Sequence, residues 1–395
     1  MSEEQNTIIV EILCQQGRLL MFAALKSELA CAIRHYSFQP VSFPSITAVS
    51  EDIAALLNNA NKKSIRDTDL IRRLQKDGQI LWDGLLTHAV KAYLRASPPS
   101  RLVLNLDEEL IDIPWELLFD GDHFLSLKFA IGRMLRSKEK IPLARPRDAA
   151  DKMRMLVLAD PTGDLKHAYA EGQHILKQLS TKKTNMFLDF KSAQVDTMYV
   201  HKSLRDYDIV HFAGHGESDR GDPDKTGWVF KDGIFSVSAI LRMAGATPFP
   251  SLVFSNACHA TPSYSAGASG DQRREYDLAS AFLLSGVRHY IGSLRKIEDQ
   301  VSLVFSREFY ERLLQEKPIG ECLRLARLKL VEVYGEHSVF WSSYLLYGDP
   351  DFRFFPRTSP VKQPFTAAAP PVIAKKCMRL SSVGAFVLAC GVFLQ

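Results

Sequence analysis

Apolar residues in the second half of this chain come in short unbroken runs, separated by amphipathic stretches. MRMLVLA (153–159), MFLDF (186–190), Ile209 to Ala213, Leu252 to Ser255, and segments within VRHYIGSL and SYLLYGDP each read as a buried strand. Between them the spacing predicts helices, the clearest from Leu165 to Leu179 and another ending near Arg205. GWVFKDGIFSV (227–237) alternates about Lys231-Asp232-Gly233, the signature of a hairpin. Strands without polar alternation are covered on both faces. The pattern therefore predicts an α/β/α sandwich about a six-stranded, mostly parallel sheet.

The first 150 residues read as a smaller α/β region. A strand from Ile8 to Leu13 leads into a loop and then helices, with helical spacing from about Ile65 through Leu94. Alternation at Leu102, Leu104 and Leu106 predicts another strand, followed by a turn and a short Pro114-led helical segment. Residues 138–152 are polar and hold two prolines, as a linker would, which divides the chain into parts 1–150 and 151–355. Residues 356–374 are rich in Pro, Ala and Thr and read as a second linker. The last part, 375–395, has Lys375, Lys376 and Arg379 ahead of an uncharged run from Leu380 to Leu394. No solenoid-type repeat is present.

Composition narrows the function classes. The net charge of +4 is scattered among acids rather than gathered into a basic stripe, which argues against a nucleic-acid partner. None of the six cysteines has C-x-x-C spacing, so zinc ribbons and thioredoxin-type redox motifs are not supported. Glu3 and Glu4 stand where a secretory leader carries positive charge, so the expected setting is the cytosol, where thiols stay reduced. The 15-residue tail run is shorter than the roughly 20 residues that span a bilayer. Its basic prelude fits a membrane attachment with the main body in the cytosol. A truncated span and a partner-binding helix remain alternatives.

The polar exceptions to the strand pattern carry the chemistry. The third strand of the second half ends in Gly214-His215-Gly216, and the fourth ends in Asn256-Ala257-Cys258-His259. Ligands bind outside the carboxyl ends of parallel strands, so both reactive side chains are expected at one edge of the sheet. A thiol beside an imidazole ionises more readily and becomes a nucleophile at neutral pH. The flanking glycines let backbone approach a substrate and free N–H groups for an oxyanion. The competing reading is a buried structural cysteine and a hydrogen-bonded strand-end histidine. The 43-residue separation is near the roughly 50 of the caspase arrangement. A zinc set of His211, His215, Cys258 and His259 is weaker, because His211 lies within a buried strand. The chain has neither a G-x-S-x-G elbow nor a P-loop. Cys14, Cys31 and Cys322 lie in apolar or helical contexts that suit packing.

VHFAGHG followed by LVFSNACHA resembles the His and Cys boxes of caspase-like cysteine peptidases of the separase and CHAT branch. IDIPWELLFDG (111–121), DPTGDLKHAYAEG (160–172), LASAFLLSGVRHYIGS (278–293) and FWSSYLLYGDP (340–350) agree in order, and the likeness covers roughly residues 8–355. The resemblance implies His215 as general base and Cys258 as nucleophile, passing through a thioester acyl-enzyme. It implies oxyanion donors at the N–H groups of Gly216 and Cys258, with residues 1–150 as the non-catalytic half of the unit. No cofactor is implied, and no acidic cluster for calcium is evident. Arg295 stands where the family usually shows Trp, which leaves substrate preference open. Asp299 falls where separase-like members keep an acid for a basic P1 residue; alternatively it is a helix-start acid. The implied function is a regulated endopeptidase with a protein substrate and an activating protein partner. The alternative is a catalytically silent scaffold or recruitment module at a membrane.

Overall fold

The computed structural model describes residues 7–30, 33–60, 67–137, 147, 152–181, 186–219, 222–245, 247–258, 278–293 and 297–355. Strand β1 (Thr7–Gln15) turns directly back into β2 (Arg18–Leu25), where the sequence predicts a loop. Gln16 and Gly17 make the turn with φ of 50° and 73°, the left-handed pair of a two-residue hairpin. After β3 (Ser37–Pro40) come α1 (Phe43–Asn59), α2 (Asp67–Leu85) and α3 (His88–Ala96). The expected helical stretch is thus two helices, because Thr87 caps α3 by accepting from the Val90 N–H. Strand β4 (Arg101–Asp107), the short α4 (Leu125–Lys128) and β5 (Ala130–Arg136) complete this half. The short Pro114-led helical segment is a single 3-10 turn, Trp115–Leu117, with Pro114 at its N-cap. The Ile111 and Ile113 carbonyls just before it accept from the Arg133 guanidinium, which ties the segment to β5.

The second half follows its apolar runs. β6 (Met153–Ala159), α5 (Lys166–Thr181), β7 (Met186–Lys191), α6 (Thr197–Ser203) and β8 (Ile209–Glu217) come first. The hairpin β9 (Gly227–Phe230) and β10 (Gly233–Ser236) precedes α7 (Val237–Met243) and β11 (Leu252–Cys258). Then follow α8 (Leu278–Leu284), β12 (His289–Ser293), α9 (Asp299–Leu314), α10 (Ile319–Tyr334) and β13 (Tyr344–Tyr347).

Six strands of this half lie in the order β7-β6-β8-β11-β12-β13, all parallel except β13. The sheet does not stop there. β13 is in register with β5 at Tyr347 and Arg133, and β5, β4 and β1 continue it in parallel before β2 and β3 close it antiparallel. Among the described residues the sheet therefore holds thirteen strands rather than six.

Alternate residues of each strand feed two cores. Val157, Ile209 and Phe254 pack with Ile175 of α5 and Phe305 and Phe309 of α9, in a core that runs on to Trp82 and the first-half helices. Leu158, Val210 and Val253 pack with Val200, Ile240 and Phe282 of α6, α7 and α8. Apolar burial on both faces at about 25 cal/mol per Å² is what makes unbroken apolar strands stable here.

No helix among the described residues is long and apolar enough to cross a membrane. The expected linker at 356–374 and the tail at 375–395 lie outside the described residues, as does most of the 138–152 linker. Arg147 of that linker pairs with the buried carboxylate of Asp208, ahead of β8.

Candidate active site

β8 and β11 pair in parallel from Ile209 and Leu252 through to His215 and Cys258. The two residues singled out in the sequence are thus register partners at the carboxyl ends of adjacent strands. His215 is half-exposed, while His211, four residues back on the same face, is fully buried.

Just beyond His215 the strand leaves the parallel sheet. Gly216 and Glu217 pair antiparallel with Trp228 and Gly227 of β9. Trp228 anchors that hairpin: its ring stacks on Phe212 with centroids 4.4 Å apart, and its indole N–H donates to Ser255 Oγ at 2.9 Å. Gly214 permits a second close approach. A Cβ there would lie 3.0 Å from Pro161 Cδ and 2.9 Å from the Phe212 ring.

The loop containing Pro161 brings in a residue that the sequence reading does not single out. Asp164 meets the imidazole, with His215 Nε2 at 3.2 and 3.1 Å from its carboxylate oxygens. The Thr162 hydroxyl, and after it the His215 ring, hold the Asp164 carboxyl below the usual range. The loop is shaped by Asp160, a buried residue at φ 52° whose Oδ1 accepts the N–H groups of Gly163, Asp164 and Leu165, each at 2.9 Å. The signal available in sequence was Asp160-Pro161-Thr162-Gly163-Asp164, a side-chain-capped turn at the carboxyl end of β6. Because β6 neighbours β8, that turn lies at the sheet edge shared by His215.

Asp299 is the first residue of α9. Its side chain, that of Cys258, and residues 294–296 with Arg295 lie outside the described residues. Of the zinc set, His211 faces Glu171 and Tyr310 rather than His215, and His259 lies outside the described residues. Cys322 is fully buried and burial pushes its thiol pKa up, which suits packing rather than nucleophilic chemistry.

Solved structures share this architecture. Chains in two crystal structures of the Saccharomyces cerevisiae separase–securin complex match with TM-scores of 0.56 and 0.55, each at 13% identity. The matches cover 87% and 88% of this chain but only 30% of the other chain in each case. At that identity the likeness is one of fold: a caspase-like α/β sheet covered by helices. No curated protein matches the sequence. The CHAT domain profile matches residues 75–349, which takes in β4 to β13 and most of α2 together with the His215 and Cys258 boxes. The chain belongs to the CHAT domain family.

Proposed function

We propose that this chain is a regulated cysteine endopeptidase acting through His215 and Cys258. The observation that carries the reading is the register of those two residues on adjacent parallel strands. In this mechanism His215 accepts the Cys258 proton and the thiolate attacks the scissile carbonyl. The N–H groups of Gly216 and Cys258 hold the oxyanion. His215 returns its proton to the leaving amine, and water then hydrolyses the thioester. Asp164 acts through His215 as a positioning residue, fixing the ring and stabilising the imidazolium. Its exposure and the screening that follows keep that contribution modest.

The substrate is a protein, and Asp299 at the start of α9 supports a basic P1 residue over Asp. A protein partner controls access, as suggested by the presence of securin in the matched complexes. Membrane attachment through residues 375–395 is supported by the sequence alone. Residues 1–150 act as the non-catalytic half and 151–355 as the catalytic half.

The test is cleavage of a positional-scanning peptide library by the wild type, Cys258→Ala and His215→Ala. Cleavage after Arg or Lys that disappears in both folded variants is the expected result. A folded Cys258→Ala protein that still cleaves would reject the mechanism, and strict Asp preference would reject the P1 assignment. A wild type that cleaves nothing favours the scaffold reading.

A further inference from the structure

Below His215, on the same side of the sheet, lies a carboxylate that the proposed chemistry does not use. Glu171 of α5 is 1% exposed. Asn256 Nδ2 donates to both of its oxygens, at 3.1 and 2.9 Å, and Ser302 Oγ donates to Oε2 at 3.0 Å. His211 Nε2 lies 3.2 Å from Oε1, in contact but off the line of a hydrogen bond. Behind these partners, the Tyr310 hydroxyl meets His211 Nδ1 at 3.1 Å and the Tyr344 hydroxyl donates to Asn256 Oδ1 at 3.3 Å. Burial, then the Glu171 charge, pushes the Tyr310 pKa up, so Tyr310 keeps its proton.

A buried carboxylate is costly unless donors surround it, and once they do it fixes their positions. The addresses of these donors are informative. His211 precedes His215 by four residues on β8, and Asn256 precedes Cys258 by two on β11. Ser302 follows Asp299 by three on α9, and Glu171 itself follows the Asp164 loop on α5. One side chain therefore ties together the four elements that carry the proposed site.

We infer that Glu171 is a positioning residue that holds α5 and the start of α9 against the carboxyl end of β11 at the site. The inference rests on the His215–Cys258 reading above. Glu171→Gln keeps the shape but leaves one acceptor oxygen for several donors and turns an amide toward the Asn256 amide. The β11 end then loses its side-chain tie to α5 and α9, and a displacement near 1 Å at a reacting group costs on the order of 100-fold in rate. Exchanging the groups repairs the pattern. In Glu171→Gln/Asn256→Asp, the amide at 171 donates to the carboxylate at 256, and its oxygen accepts from Ser302.

The experiment measures iodoacetamide alkylation of Cys258 in the full chain from pH 4 to 9, by peptide mass spectrometry. Wild type should show a rate whose pH midpoint lies below that of an ordinary thiol and rises in His215→Ala. Glu171→Gln should lose about 10- to 30-fold in rate at neutral pH, with the midpoint moved upward toward that of an ordinary thiol. The exchanged pair should return to within about threefold of wild type. A folded Glu171→Gln protein with the wild-type profile overturns the inference. Should Glu171→Gln not fold, the exchanged pair decides: folded with an unactivated Cys258, it overturns the inference; folded with a wild-type profile, it supports it. An exchanged pair that also fails to fold overturns it, since the two partners were then not interchangeable. A wild-type Cys258 without a His215-dependent midpoint overturns the dyad reading itself, and this inference with it.

Discussion

Replacing Glu116 with Gln should cut deeply into stability, because this carboxylate serves two buried cations where the two halves of the sheet join. Arg133 pairs with Glu116 bidentately through the Nε and Nη2 edge of its guanidinium, at 1% and 2% side-chain exposure, with the Nε contact at 2.9 Å. Arg133 also donates to the Ile111 and Ile113 carbonyls and packs over the Tyr347 ring at 5.7 Å. Its own carbonyl accepts from the Gly348 N–H at 2.8 Å, so one residue of β5 holds β13 in place. The second cation is Arg327 of α10, fully buried: burial pushes its pKa down and the Glu116 charge pushes it back up. Removing one member of a buried pair costs about 3–5 kcal/mol, against about 5–15 kcal/mol for a whole domain. With a urea m-value near 3 kcal/mol/M, the midpoint should fall by about 1–1.7 M. The assay is urea unfolding followed by tryptophan fluorescence, reporting on Trp82, Trp115, Trp228 and Trp341, all buried. Glu116→Leu/Arg133→Met should recover part of the loss, because no uncompensated guanidinium remains at 133. A Glu116→Gln midpoint within about 0.2 M of wild type would refute the reasoning.

Three further outcomes are expected. Asp160→Ala, which orphans three loop N–H groups, should reduce peptide cleavage more than Asp160→Asn, which keeps an acceptor and tolerates positive φ; equal kinetic loss in the two would count against loop positioning. His289 is held near a pKa of about 4, chiefly by burial, so the unfolded chain binds its proton first as pH falls below about 6.5. That removes roughly 3 kcal/mol of stability between pH 6.5 and 4, and His289→Asn should flatten this part of the stability–pH curve. Deleting residues 375–395 should move the protein from a salt-resistant membrane fraction to the supernatant with the fold intact, as thermal unfolding would report; a full-length chain already in the supernatant argues against attachment.

The strands of the second half are legible because both of their faces are covered, which leaves unbroken apolar runs. The site pair is legible for a related reason. Ile209 to His215 and Leu252 to Cys258 are equal intervals, so parallel pairing of the two apolar starts brings the two reactive ends level. β5 is less legible, since Arg133 puts a charge at a core position that Glu116, 17 residues earlier, makes tolerable together with the Ile111 and Ile113 carbonyls. β2 is hidden by a Gln-Gly turn between two apolar runs, which the reading passes over as a loop. Asp164 is illegible by pattern alone, because its role depends on β6 lying next to β8 and on Asp160 folding the loop back. The Glu171 cluster draws on α5, β8, β11 and α9, elements far apart in sequence, and no local pattern announces it.

The central claim is most directly tested by labelling the folded full-length chain with a peptidyl acyloxymethyl ketone carrying Arg at P1, and mapping the adduct by mass spectrometry. The account predicts one adduct per chain, on Cys258, absent from Cys258→Ala and strongly reduced in His215→Ala. No adduct at Cys258, or labelling there that is unchanged in His215→Ala, would contradict it.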